Sequence, residues 1–147
     1  MKNKKINEIQ NKIIKSFYEI SNNREMMINY IIEIGKKMKP LEKKYKNSNN
    51  IIEGCMSKVW LIYKIKKKKI FFKADSNTVI TKGLIGLLIK IFSNQKIEDI
   101  INSKLYFLEK VKINQIIGIQ RLNGLNHMIK KIKLFTISEK VKLIKKN

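Results

Sequence analysis

The stretch with the most chemical content is Asn50-Ile51-Ile52-Glu53-Gly54-Cys55-Met56-Ser57-Lys58-Val59-Trp60, and its centre, Cys55, is the only cysteine in the chain. A lone thiol excludes an intramolecular disulfide, a Cys-x-x-Cys redox pair and a multi-cysteine zinc site, and it fits a reducing, cytoplasmic setting. What remains is nucleophilic or redox chemistry at one sulfur, or no chemistry at all. Gly54 permits a backbone conformation closed to other residues, so it can turn a thiol out of a loop where the chain enters a strand. Ser57 can then bond nearby backbone groups and hold that loop. The competing reading is a buried cysteine packed as a small hydrophobe, and composition alone favours it, free cysteine being among the most buried residue types. His127, the only histidine, offers a Cys–His pair, although a surface or core-edge side chain is the stronger reading. No clustered carboxylates, phosphate-binding glycine loop or metal-ligand spacing is present, which argues against a hydrolytic or nucleotide-using enzyme.

Any such loop needs elements to hold it. From Lys5 to Ile20 the residues Ile6, Ile9, Ile13, Ile14, Phe17 and Ile20 recur at steps of three and four, one face of a helix. Asn22 with Glu25 reads as a capping box opening a second helix, which buries Met27, Tyr30, Ile31, Ile34 and Met38 and stops near Pro40. Leu41 to Asn50 is polar and reads as a loop. Alternation of Val59/Leu61/Tyr63/Ile65 with Trp60/Ile62 predicts a strand covered on both faces, with Trp60 in the core. A turn at Lys66 to Lys69 and a second strand at Ile70 to Ala74 complete a hairpin, with Ile51 to Glu53 as a short further strand. Asp75 or Ser76 is placed to N-cap a helix over Val79–Phe92 that is apolar nearly all round and so central to the fold. The alternative for Asp75 is to face a partner beside the cysteine loop. Gly83 and Gly86 each cost that helix about 1 kcal/mol relative to alanine, so something must pack closely there. Short helices follow around Ile97 to Ile101 and Leu105 to Val111. A last helix from about Arg121 carries Leu122, Leu125, Met128, Ile129, Ile132 and Phe135 inward, and its basic tail, 136–147, either extends it or frays.

At 147 residues and 44% apolar content the chain is one domain, 1–147, with material for a modest core. Its net charge is +22, which ordinarily suggests a nucleic-acid or anionic-membrane partner. Yet 31 Lys, 29 Ile and 16 Asn make up more than half of the chain, all types that A/T-rich codons specify, and only Arg24 and Arg121 are arginine. Phosphate and guanine recognition favours the bidentate arginine fork, so the charge reads as compositional drift on a solvated surface. A basic module for RNA or acidic surfaces, and a thiol sensor oxidised at Cys55, remain competing classes. The longest apolar stretch, Gly83 to Phe92, falls well short of the roughly 18 residues a membrane span needs. No secretory signal is visible in the sequence.

Gly54-Cys55-Met56-Ser57-Lys58-Val59-Trp60 resembles the Gly-Cys-x-Ser-x-Val-Trp signature of the SufE family, the sulfur-acceptor proteins of the Suf iron–sulfur cluster assembly system. Three further blocks occur in the family's order: Tyr30-Ile31-Ile32-Glu33-Ile34-Gly35, Ala74-Asp75-Ser76 followed by Lys82-Gly83-Leu84, and Arg121-Leu122-Asn123-Gly124-Leu125 with Met128 beyond. The set spans roughly Glu25 to Ile132. The resemblance implies an α+β fold similar to the IscU/NifU scaffold type, with a three-stranded antiparallel sheet packed by N- and C-terminal helices and a buried central helix. It implies that Cys55 takes sulfur from the persulfide of a pyridoxal-phosphate cysteine desulfurase, SufS, stimulates its turnover, and passes the sulfur to the SufBCD scaffold. The chain would carry no cofactor of its own, PLP residing on the desulfurase, and would bind no specific nucleic acid and no membrane. A homodimer is compatible with the pattern. The related CsdE proteins, which serve the desulfurase CsdA, share much of it. Pro40 lies one position further from the second helix than the family's usual Leu-Pro, and Met56 stands where a polar residue is common.

On that implication Cys55 must be partly ionised when docked, and an ordinary thiol, with a pKa of about 8.5, is only slightly ionised at neutral pH. Arg121, at a predicted helix start, is the first choice of stabilising cation and Lys58 the second. The alternative for Arg121 is an ion pair with Asp75 or Glu53. Gly54, Ser57, Asp75 and Arg121 are thus the expected supporting or partner-binding residues around Cys55. Met56 and Trp60 are expected to shelter the sulfur.

Overall fold

The structure, a computed structural model, describes residues 4–146. Helix α1 (Lys4–Glu19) buries Ile6, Gln10, Ile13 and Phe17 as its periodicity requires. Buried Gln10 donates to the Lys104 carbonyl and accepts from the Phe107 N–H, tying α1 to a distant segment. Helix α2 (Arg24–Lys37) is capped one residue later than the sequence suggests. The chain is still turning at Asn22, so Asn23 is the first extended residue, and its side chain accepts from the Met26 N–H at 3.0 Å. Two short 3₁₀ turns, Lys43–Tyr45 and Ser48–Asn50, then carry the polar loop.

Strands β1 (Val59–Lys66) and β2 (Lys69–Ser76) pair antiparallel from Val59↔Ser76 to Lys66↔Lys69. Lys67 and Lys68 form the two-residue turn, both with positive φ (51° and 65°), the geometry whose twist suits a hairpin. The third strand is β3 (Gln95–Lys96), on the far side of β2, and not the predicted Ile51 to Glu53. That segment makes one bridge, Ile51 to Trp60, and a hydrogen bond from the Ile52 N–H to the Val59 carbonyl. β3 has no apolar pattern. It forms because the turn at Asn94 (φ 63°) delivers the chain leaving the central helix back to Ile70. The two-sided cover expected of β1 is also partial: Val59 and Leu61 are buried, Trp60 and Ile62 half-buried, and Ile65 exposed at the hairpin tip.

Helix α3 (Val79–Phe92) lies at the centre, burying Leu84, Ile85, Leu87, Leu88, Ile91 and Phe92. Its glycines explain themselves in contact with α2. A β-carbon on Gly83 would strike the Ile31 carbonyl oxygen, and one on Gly35 would lie 2.7 Å from the Gly83 nitrogen, so the two helices cross backbone to backbone. Short helices α4 (Ile97–Asn102) and α5 (Phe107–Lys110) lead to α6 (Ile113–Lys146), which is broken at Gly118 (φ 82°) and continues through the tail to Lys146. Leu125, Met128 and Ile132 face the core, and Phe135 stacks on Tyr63 of β1 at 4.7 Å. Among the described residues no helix is long and apolar enough to cross a membrane.

Gly83→Ala should therefore cost about 2–3 kcal/mol through overpacking against backbone that cannot yield, whereas Gly86→Ala, whose β-carbon comes tightest to the flexible Ile34 side chain at 3.2 Å and meets backbone at an ordinary 3.6 Å, should change stability by less than about 1 kcal/mol. Urea unfolding of the two variants checks the contrast.

Candidate functional site

The Cys55 loop lies between two helices. On one side stands the start of α3, whose capping residue is Thr78 and neither Asp75 nor Ser76, because β2 runs on through Ser76. The Ser57 hydroxyl accepts from Thr78 Oγ1 at 2.9 Å and Thr81 Oγ1 at 3.3 Å, so it grips side chains and not the backbone groups expected of it. Beyond it, the Lys58 N–H donates to Asn77 Oδ1, and the Lys58 carbonyl accepts from Ser76 Oγ and the Asn77 N–H. On the other side runs α6. The Cys55 thiol donates to the Gly124 carbonyl, Sγ to oxygen 3.5 Å. Gly54 takes φ 89°, and the ring of His127 packs against it.

Cys55 is half-buried at one wall of a cavity of about 650 Å³ lined by Ser57, Thr81, Leu84, Ile117, Arg121 and Met128, among others. Burial pushes its thiol above the ordinary value, and burial is the only cause. Arg121 sits on the cavity rim in the first turn after the Gly118 break, as its predicted helix start implies, but its guanidinium donates to the Ile117 carbonyl at 3.5 Å. It pairs with neither Asp75 nor Glu53 at rest. Lys58 contributes through its backbone. Met56 does not shelter the sulfur: it is 83% exposed, and with Ile119 (83%) and Val79 (58%) it forms an apolar rim around the opening. Trp60 is half-buried at the outer face of the sheet, under Lys46 Nζ at 5.7 Å, and is not part of the core. Among the described residues no group of His, Cys, Asp and Glu is placed to hold a metal ion.

Asp75 takes neither of its predicted positions. It shares the outer face of the sheet with Trp60, its register partner, yet is only 3% exposed because the 41–50 loop covers it; its carboxylate pairs with Lys46 (3.0 Å) and Lys82 (3.3 Å) and accepts from the Leu41 and Ser76 N–H groups. Burial alone would raise its pKa, but the Lys46 and backbone hydrogen bonds and the Lys82 charge outweigh that and hold the carboxyl below its usual range. It fastens the 41–50 loop to the first turn of α3. The residues that sequence reasoning missed are Thr78 and Thr81, and the packing of His127 on Gly54. Their signal was spatial, since they sit 21, 24 and 73 positions from their partners.

The SufE family, described as an Fe-S metabolism associated domain, matches residues 11–136. The chain belongs to the SufE family. It is 37% identical over 134 residues to the cysteine desulfuration protein SufE of Wigglesworthia glossinidia brevipalpis, covering 88% of each chain. It is 32% identical over 120 residues to SufE-like protein 1, chloroplastic/mitochondrial, of Arabidopsis thaliana, of whose length it spans 31%. The solution structure of a hypothetical protein from Thermus thermophilus superposes with a TM-score of 0.72 at 13% identity, covering 88% of this chain and 94% of that one, and shares its α+β fold. SufE membership supports a sulfur-transfer role and implies a cysteine desulfurase as partner.

Because the folded carboxyl of Asp75 titrates below its unfolded value, its contribution to stability is present above about pH 4 and is lost as pH falls through the lowered folded pKa. Asp75→Asn should cost about 2–3 kcal/mol at pH 7, from two lysines left facing each other, and the difference from the parent protein should shrink below about pH 4. Urea titrations at pH 7 and pH 3.5 measure it.

Proposed function

We propose that this SufE protein accepts sulfur on Cys55 from the persulfide of a SufS-type cysteine desulfurase, stimulates that enzyme, and passes the sulfur to a SufBCD-type scaffold for iron–sulfur cluster assembly in the cytoplasm. The observation that carries this reading is the placement of the only cysteine in a cavity wall, on a loop held by a hydroxyl grip and a glycine turn, beneath an exposed apolar rim. The rim offers a docking surface that leaves the cavity mouth facing the partner. The chain carries no resident cofactor in this reading. PLP supplies the carbon–sulfur cleavage on the desulfurase.

The transfer is an exchange at sulfur. The Cys55 thiolate attacks the outer sulfur of the partner's persulfide, a new S–S bond forms to Cys55, and the old one breaks with its electron pair on the partner's cysteine. The proton given up by Cys55 ends on that departing thiolate, so nothing is oxidised or reduced overall. At rest the raised thiol pKa keeps Cys55 protonated and slow to react with stray electrophiles. Docking must therefore move the thiol out of its desolvated place. Arg121, on the rim one turn before Gly124, is the cation such a movement would meet. A single cysteine also protects the cargo, because no second thiol in the chain can attack the inner sulfur and discharge it as sulfide.

Alanine production by a SufS-type desulfurase with cysteine should rise severalfold on adding the protein and should not rise with Cys55→Ser. Arg121→Ala should lower the stimulation about tenfold while leaving the fold intact. Equal stimulation by the serine variant would refute acceptance at Cys55.

A further inference from the structure

The Cys55 loop is anchored firmly at both ends and held more lightly between them. Upstream, Ile52 is buried and its N–H bonds the Val59 carbonyl. Downstream, Ser57 grips Thr78 and Thr81. Across residues 53–56 the half-buried Cys55 packs against the core, and two specific ties come from α6. One is the Cys55 thiol on the Gly124 carbonyl, a weak S–H donor at 3.5 Å. The other is His127. A β-carbon built on Gly54 would fall 2.5 Å from its Cδ2 and Nε2 and 2.6 Å from its Cε1, and these are its three nearest atoms. The far edge of the imidazole thus rests on the glycine. Gly124 and His127 are three residues apart and share one face of the helix, so consecutive loop residues are held by consecutive turns of α6. Among the described residues the imidazole has no hydrogen-bond or ion-pair partner, and its contact with the loop is one of packing.

We propose that His127 is the latch of the cysteine loop: a positioning residue whose ring, seated on Gly54, holds the thiol against Gly124 until the loop is released. The purpose of such a latch rests on the sulfur-transfer reading, but its existence does not. The ring leaves Gly54 no room for a side chain, which is a constraint on that residue separate from its positive φ. Release breaks the His127 contact, one weak hydrogen bond and the packing of the half-buried Cys55 side chain against the core, with the anchors at Ile52 and Ser57 left in place. Opening is thus local and cheap relative to unfolding.

The test is the alkylation rate of Cys55 by iodoacetamide in the folded protein without any desulfurase, measured from pH 7 to 10.5 so that the limiting rate and the apparent thiol pKa are separated. His127→Ala should raise the limiting rate about tenfold, with a thermal midpoint within about 3 °C of the parent. His127→Gln, whose planar amide reaches the same place, should restore slow alkylation. Gly54→Ala, which displaces the ring, should itself alkylate fast, and adding His127→Ala to it should accelerate the reaction no further. An unchanged limiting rate in His127→Ala overturns the latch, as does a glutamine variant that behaves like alanine, or independent multiplication of the two effects. None of these failures bears on sulfur acceptance, which is read with the desulfurase and Cys55→Ser.

Discussion

The backbone approach of α2 and α3 at Gly35 and Gly83 is the contact from which the site is built. It leaves no space for a β-carbon on either glycine, so the central helix has one position relative to α2. That position places Thr78 and Thr81 under Ser57, and Lys82 beside the buried carboxylate of Asp75. Asp75 in turn draws in Lys46 and the Leu41 N–H, fixing the long polar loop that leads to the cysteine. A buried carboxylate with two lysines and two backbone donors is stable only if all of them stay. The floor of the cysteine loop is therefore rigid because the helix crossing beneath it is close.

On this floor the loop itself is held lightly. The thiol is desolvated, its pKa raised, and its one hydrogen-bond partner among the described residues is a carbonyl. Such a sulfur is protected and unreactive, which is the opposite of what transfer requires. The contradiction resolves if reaction happens elsewhere than in the resting place. In the proposed transfer the anchors at Ile52 and Ser57 limit how far the loop moves, the exposed apolar rim of Met56, Val79 and Ile119 is the surface offered to the partner, and Arg121 is the cation at the cavity edge.

Where apolar periodicity was strong, the sequence was legible: α1, the hairpin, the fully apolar α3 and the inner face of α6 all lie where Ile, Leu and Phe spacing puts them. So was the close packing at the α3 glycines, since a costly residue inside a helix needs a reason. What was not legible depended on contacts far apart in the chain. β3 exists because a turn at Asn94 meets Ile70, and no pattern in Gln95-Lys96 announces it. Asp75 looked like a cap because aspartate favours caps, but the strand continues past it and the distant 41–50 loop folds over it. Trp60 and Met56 were given the burial that their side chains prefer, and the edge of the sheet and the rim of the cavity left them out of the core. Gly-Cys-x-Ser pointed to the candidate site; Thr78, Thr81 and His127, which pack around it, appear only in three dimensions.

The most direct test is a single-turnover reaction in which a SufS-type desulfurase is first loaded with sulfur from cysteine, freed of excess substrate, and mixed with this protein, whose intact mass and peptide map are then recorded. The account predicts the mass of one added sulfur atom, located on the peptide that contains Cys55 and removed by a thiol reductant. A desulfurase that keeps its sulfur while this protein's mass stays unchanged would contradict it.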